Sequence, residues 1–341
     1  MLDQVDLSLT LSTPARKQIL RFGRQRLFQL VKEVYDRRVP VIVVFEGWDA
    51  AGKGTNIRRL TRRLDPRGFK VIPTQAPRTH EKKMPWLWRF WMKIPRRGQM
   101  AIFDRSWYGR VLVERVEGLT PIPDWIRAYE EINQFERTLA DDGTIFVKFW
   151  LHISKREQLR RFINLTQNPE HAWQVTAEDW EHHRKYDEYL AAVRDMLANT
   201  HTPYAPWEVV PATDSNYTTY HIFRTVIQRL EEALDMPPTA WPSLAEIEAE
   251  TIRLREEKRA QKLARREAKK EEKRRRKLAE QAQADEAEAL APEEAAPETG
   301  IQPVHPTPEE AAQDGADQPE QPVPATGEAR EGSTGEEAEG A

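Results

Sequence analysis

No cysteine occurs among the 341 residues, which excludes disulfides and thiolate metal sites and makes a reducing cytoplasm the expected setting. No apolar run approaches the length of a membrane span, and the start, MLDQVDLSLTLS, lacks the basic and long apolar regions of a signal peptide. A membrane partner is therefore not expected. Nor is there a large excess of charge of one sign, since the formal net charge is −3. That small figure hides an asymmetry. The stretches Lys53 to Arg115 and Arg253 to Lys277 are dense in Lys and Arg, whereas after Lys277 Arg330 stands alone among many Glu and Asp. The average charge thus predicts nothing about partners, and no nucleic acid is expected. The length suffices for one large or two small domains with a proper core.

What the chain does have is concentrated in Val41 to Thr55, VIVVFEGWDAAGKGT. Val41 to Phe45 form a β-branched apolar run that predicts a strand buried on both faces. It feeds directly into Gly47 to Lys53, after which Ile57 and Leu60 begin a helical spacing. Strand, glycine-bounded loop, lysine and helix are the context of a phosphate-binding loop. Backbone N–H groups around Gly47, Ala51, Gly52 and Gly54 would hold phosphate oxygens, with Lys53 adding a point charge. A GxxxxGK(S/T) loop places a Mg²⁺-binding hydroxyl after the lysine, but Gly54 stands there; Thr55, one place later, is a candidate phosphate contact. Asp49 lies where polyanions would bind, so it is assigned to a metal or to the water around one.

Gln99 to Arg105 (QMAIFDR) predicts a second apolar strand ending in Asp104, a carboxylate placed to hold Mg²⁺ near the phosphates. The charged arm that follows, with Arg105, Arg110 and Arg115, is expected to close as a lid over about residues 105–125. Helices are expected over 14–38, 56–64, 79–93, 124–140, 176–198 and 217–234, with strands at 69–73, 144–153 and 208–210. Ser154 is expected to cap another helix. Trp86, Trp88 and Trp91 are read as core or wall. His182 and His183 are read as a surface pair, because neighbours on a helix diverge by about 100°. Alternating strands and helices predict an α/β fold: a parallel sheet with helices on both faces.

Composition and the loop motif divide the chain into an N-terminal segment (1–13), a P-loop core (14–240), a charged helical extension (241–283) and an acidic Pro/Glu/Ala-rich tail (284–341). The extension reads as a solvated single helix or a weak coiled coil. The tail has too few large apolar residues to fold and is expected to be disordered.

The runs EGWDAAGKG, APRTHEKKMPWLWRFW, GQMAIFDRSWYGRVLVERVEG, DDGTIFVKFWLHISKREQLRRF and TPYAPWEVVPA together resemble the type-2 polyphosphate kinase family over about residues 14–235. FDRSWYGRVLVERVEG is most similar to the branch that phosphorylates AMP. The resemblance implies a P-loop kinase core with a helical lid. It also implies Mg²⁺-dependent transfer of a terminal phosphoryl group between inorganic polyphosphate and AMP or ADP, and a homo-oligomer, dimer or tetramer. By position it assigns Asp49 and Lys53 to the first phosphate-site motif, Asp104 and Arg105 to the second, and Arg161 to a basic catalytic role. Two departures stand out: GKGT where the family usually has GKGG, and no basic side chain from Ser215 to Thr219. A polyphosphate donor calls for a long basic track, for which Arg58, Arg59, Arg62, Arg63, Lys82, Lys83, Lys93, Arg96 and Arg97 are candidates. An ATP-dependent nucleoside monophosphate kinase and a catalytically silent polyphosphate-binding protein are the alternatives.

Overall fold

A computed structural model describes residues 1–241 and 243–289. Ser12 caps the first helix, α1 (Thr13–Asp36), by accepting from the Ala15 N–H, and α1 buries Ile19, Leu27, Leu30 and Val34. There follow β1 (Val41–Gly47), α2 (Lys53–Thr61), β2 (Phe69–Pro73), α3 (Trp88–Trp91), β3 (Met100–Asp104), α4 (Val113–Val116) and α5 (Ile122–Asp141). Then come β4 (Ile145–His152), α6 (Lys155–Thr166), α7 (Ala177–Arg184), α8 (Tyr186–Thr200), β5 (Trp207–Pro211), α9 (Ser215–Ala233) and α10 (Leu244–Ala289).

The sheet has five strands in the order β2-β3-β1-β4-β5, and every pairing is parallel. The apolar run predicted for β1 therefore sits at the centre, with Val41 to Phe45 fully buried. Register places Asp104 of β3 beside Phe45 of β1. The loop after β1 and the end of β3 thus share one edge, outside the carboxyl ends of the strands, where ligands of such sheets bind.

Several local expectations change. The helix expected over 79–93 is broken, because Pro85 holds Met84 extended (φ −109°, ψ 160°) and leaves only a 3₁₀ turn, Glu81–Lys83, and the short α3. Trp91, expected as core or wall, is 39% exposed and meets Phe135 edge-on at 4.8 Å, a wall position, whereas Trp107 is buried. The helix expected over 176–198 divides at Lys185 into α7 and α8. Ser154 caps α6 as expected, and Thr176 with Asp179 forms a capping box on α7.

Lys148, an odd residue within a buried strand, has a structural use. Its ammonium meets the Glu136 carboxylate at 2.6 Å, the Tyr108 hydroxyl at 2.6 Å and the Thr200 carbonyl at 3.0 Å. Tyr108 and Trp107 both donate to Glu136. Removing one partner would leave a buried charge unpaired, at a cost of about 3–5 kcal/mol. The stretch after Asp104 is thereby pinned beneath the sheet's carboxyl edge: Trp107, Tyr108, Val111 and Leu112 are buried, not part of a free charged arm.

The chain divides into two units, Met1–Lys270 and Glu271–Ala341. Within the first, Ile247 of α10 is buried against Leu11, Ala15, Ile19 and Tyr220, with Trp241 packed alongside. Helix α10 runs to Ala289, past the point where disorder was expected to begin; residues 290–341 lie outside the described residues.

Candidate phosphate-binding site

The loop is shaped by positions that only certain residues can fill. Gly47 leaves β1 so close to β4 that a Cβ would lie 2.6 Å from the Leu151 carbonyl oxygen. Trp48 then turns inward, stacks on Tyr186 at 3.9 Å and donates its indole N–H to His152. Ala50 (φ 59°) and Gly52 (φ 98°) are both left-handed. Left-handed turns between ordinary ones point successive N–H groups into one hollow, the geometry of an anion nest. The first turn of α2 lies just beyond, with open space around Gly54.

Lys53 occupies that hollow. Its ammonium donates to the carbonyls of Gly47 (2.8 Å) and Trp48 (3.1 Å) and lies 3.8 Å from the Asp49 carboxylate. Burial pulls the lysine pKa down, with Asp49 opposing. Asp49 accepts from Arg105 at 2.6 Å through Oδ1 and contacts His182 Nδ1 at 3.0 Å through Oδ2. Burial alone would raise its pKa, but the His182 hydrogen bond and the charges of Lys53 and Arg105 outweigh that and hold the carboxyl well below the usual range. Arg105 is itself left-handed (φ 59°), a strained position that aims its guanidinium across the loop mouth. Among the described residues the Asp104 side chain has no hydrogen bond or ion pair, while its carbonyl accepts from the Thr74 N–H at 3.0 Å.

Arg161 behaves differently from the catalytic role expected of it. It donates to the carbonyls of Ala50 (2.8 Å), Ala212 (2.6 Å) and Thr213 (2.9 Å) and to Glu157. It clamps the back of the loop to the segment after β5, as a positioning residue. Arg110 and Arg115, the expected lid cations, are engaged elsewhere. Arg110 pairs with Glu114 at 2.9 Å and lies over the Trp86 ring, while Arg115 pairs with Asp195 at 2.8 Å and lies over Trp125.

The basic residues proposed as a track fall into separate places. Arg58 and Arg62 are exposed on α2, while Lys82, Lys83 and Lys93 are exposed around α3. Arg96 and Arg97 do not belong with either. They stand in the turn before β3; the Gln99 carbonyl in that turn accepts from the Val41 N–H, and Arg97 pairs with Asp142. That is the amino edge of the sheet, a strand length of roughly 16 Å from the loop.

Two participants were not legible in the sequence. His182 was expected at the surface, yet α7 turns it onto Asp49, and His183 contacts Gln158, which itself donates to the Asp49 carbonyl. Glu46 is buried one residue before the loop, accepts from the Ser106 hydroxyl at 2.9 Å, and is pushed up to about 7 by burial. Neither lies at a spacing that marks it; for Glu46 the only hint was a carboxylate ending an apolar strand.

The donor set also limits what metal the site can take. No group of three or more His, Asp or Glu able to hold an ion occurs among the described residues. Two hard carboxylates at the mouth of a phosphate nest suit a divalent cation whose other ligands come from substrate phosphates and water.

A parallel sheet with a glycine-bounded, lysine-ended loop at its central strand defines a P-loop α/β protein. The family description "Polyphosphate kinase 2" matches residues 10–237, and the chain belongs to that family. It is 46% identical over 233 residues to a polyphosphate:AMP phosphotransferase of Pseudomonas aeruginosa, covering 68% of this chain and 47% of that protein. It is 38% identical to an AMP/ADP-polyphosphate phosphotransferase of Meiothermus ruber, covering 64% of this chain and 82% of the other. A crystal structure of a polyphosphate kinase 2 from Pseudomonas aeruginosa superposes with a TM-score of 0.67 at 46% identity, covering 69% of this chain and 51% of that one. The chain spans about half the length of the first of these curated relatives. No described helix is long and apolar enough to cross a membrane.

Proposed function

We propose that this chain transfers the terminal phosphoryl group of inorganic polyphosphate to AMP, with ADP as a second acceptor. The observation that carries the reading is the assembly of Asp49, Lys53 and Arg105 around one backbone nest in a chain whose relatives are polyphosphate phosphotransferases. Phosphoryl transfer asks a protein mainly for positioning and charge neutralisation. The N–H groups of Gly52 to Thr55 at the start of α2 hold the donor's terminal phosphates, whereas those of Trp48 and Ala51, the latter expected to face phosphate, are donated to the Leu151 and Trp48 carbonyls. Lys53 exchanges its two carbonyl partners for phosphate oxygens, and Arg105 neutralises charge on the moving group. Arg161 keeps the loop in shape from behind. Asp49 and Asp104 would hold Mg²⁺, which supplies charge neutralisation at the bridging oxygens.

A groove of about 380 Å³ opens at the carboxyl end of β2, lined by Thr74, Arg78, His80, Trp88, Arg89 and Lys93, and is of a size for a nucleotide acceptor. Thr74 joins it to Asp104. In this reading an AMP phosphate oxygen attacks the terminal phosphorus and the polymer leaves one residue shorter. We place the activity in residues 14–240, in a cytoplasmic homo-oligomer.

The test is to incubate AMP, polyphosphate and Mg²⁺ without ATP and to follow ADP by chromatography. ADP is expected, and Lys53→Ala is expected to lower kcat roughly 10²- to 10³-fold. Product that forms only when ATP is supplied would replace this reading with that of an ordinary nucleoside monophosphate kinase.

A further inference from the structure

Helix α10 begins beyond the family match, which ends at residue 237, and its charges are sorted in a way that the core does not require. At about 100° per residue, Arg255, Lys258, Lys262, Arg265, Arg266 and Lys269 fall on one face roughly 100° wide, with Arg259 and Lys270 at one flank. Glu256, Glu257 and Glu267 all lie on the other side, about 130° or more from the centre of that face. All eight cations are exposed, and among the described residues none has an ion-pair partner. The ion pairs of α10 lie off this face: Arg253 with Glu250 and Glu257, and Arg276 with Glu280.

This order works against the helix that carries it. A solvated single helix is supported by a Glu four residues before a Lys or Arg. Here Glu256, Glu257 and Glu267 are followed at that distance by Ala260, Gln261 and Glu271. Like charges hold the supporting positions instead: Lys258 with Lys262, Lys262 with Arg266, Arg265 with Lys269. Each such pair opposes the helix about as much as an opposite pair supports it. A coiled coil does not offset the repulsion, because Leu254, Leu263 and Leu278 form no heptad seam. An extended polyanion laid along the face does. The eight cations span about 23 Å of helix, about one charge every 3 Å. That is close to the roughly 3.4 Å between phosphates along one strand of nucleic acid.

Which polyanion follows from what α10 lacks. From Leu244 to Ala289 it has no Phe, Tyr or Trp on which bases could stack. Its Leu and Ile side chains are spread over several faces, which leaves no apolar face to enter a lipid surface. Recognition there is by charge alone, which suits a polymer made only of phosphate. Resting on the donor reading above, we propose that the basic face of α10 over residues 255–270 is a second polyphosphate site, separate from the phosphate loop. It holds long polymers by their middle while their ends are consumed, and so raises the donor's effective concentration. Tripolyphosphate covers too little of the face to gain from it.

The experiment measures binding of fluorescently labelled long-chain polyphosphate and of tripolyphosphate to the full chain and to the quadruple variant K258Q/K262Q/R266Q/K269Q. Gln is close to Lys and Arg in helix propensity, and the four positions are exposed, so the fold is kept. The variant is expected to bind long-chain polyphosphate about tenfold more weakly at low salt, with a matching rise in its KM as donor. The slope of log Kd against log salt should flatten by about 0.7 per cation removed, the value for a single-stranded polyanion. Tripolyphosphate binding and the KM for AMP are expected to stay as in the parent. K258R/K262R/K269R should keep the parent affinity. Amide exchange over residues 255–270 should slow when long-chain polyphosphate is added, because the repulsion along the face is relieved, and should not change with tripolyphosphate.

Unchanged long-chain affinity in the quadruple variant would overturn the site. So would an equal loss in K32Q/R67Q/R127Q/R137Q, which removes four exposed cations elsewhere and would reduce the effect to overall charge. Tighter binding of single-stranded DNA of equal charge would make α10 a nucleic-acid surface and would also overturn it. A parent that binds both donors yet makes no ADP would instead remove the donor reading and leave the second site standing.

Discussion

Glu46 shows how much a single buried carboxyl can report. It stands one residue before the end of the central strand, out of water, with Ser106 as its hydrogen-bond partner and Lys53 and Arg105 acting only at longer range. Burial dominates, so its pKa in the folded chain lies near 7 against an ordinary 4.5. The folded state therefore keeps a proton that the unfolded chain has already released between those values. The stability this proton supplies is complete below about pH 4.5 and is lost as the pH rises through 7, by up to about 3 kcal/mol. Glu46→Gln removes the titration. In urea denaturation the difference between variant and parent should move in the variant's favour by about 1–3 kcal/mol between pH 5 and pH 8; a difference flat across that window would contradict the assignment. The neighbouring Asp49 has the opposite sign, because the His182 hydrogen bond and the charges of Lys53 and Arg105 reach it and outweigh its burial.

At the scale of elements, the informative features are breaks and seams. Pro85 turns one expected helix into two short pieces, and residues of both, Glu81 from the first and Trp88 and Arg89 from the second, line the groove at the carboxyl end of β2. The seam at the end of the core is less abrupt than the change in composition at residue 241. Trp241 meets Phe22 edge-on at 5.4 Å, and Ile247 is buried with Leu11, Ala15 and Ile19. A chain ended after Ala240 loses both side chains, whereas one ended after Ile252 keeps them. Burying one such side chain contributes about 1.5–3 kcal/mol. At about 2–4 °C per kcal/mol for a chain of this size, losing even one such side chain should make the shorter chain unfold roughly 3–12 °C lower than the longer one by calorimetry. Both are expected to retain turnover, since every residue of the proposed site precedes Trp241. Equal unfolding temperatures would mean that the start of α10 does not stabilise the core.

For the molecule as a whole, the site is an edge shared by several layers: loop and Asp104 from the sheet, His182 from α7, Arg161 from α6. With no three-ligand cage among the described residues, a metal here depends on substrate for its remaining ligands. Chelation by EDTA is thus expected to abolish phosphoryl transfer and leave the unfolding temperature of the substrate-free protein unchanged, with Mg²⁺ restoring activity. A fall in unfolding temperature on chelation would reveal a structural ion and overturn that account.

The sequence alone determined the strand–loop–helix around Lys53, the strand ending in Asp104, the parallel α/β class and the family, because each depends on residues close together in the chain. Periodicity, glycine placement and motif spacing are local signals, and local geometry follows from them. Only tertiary structure decided that His182 meets Asp49, that Arg161 braces carbonyls rather than facing the hollow, and that Arg96 lies at the wrong edge of the sheet. It likewise brought Arg16 and Arg24 beside arginines far along the chain. Those relations depend on how helices pack across a sheet, and no spacing within one segment carries the position of another.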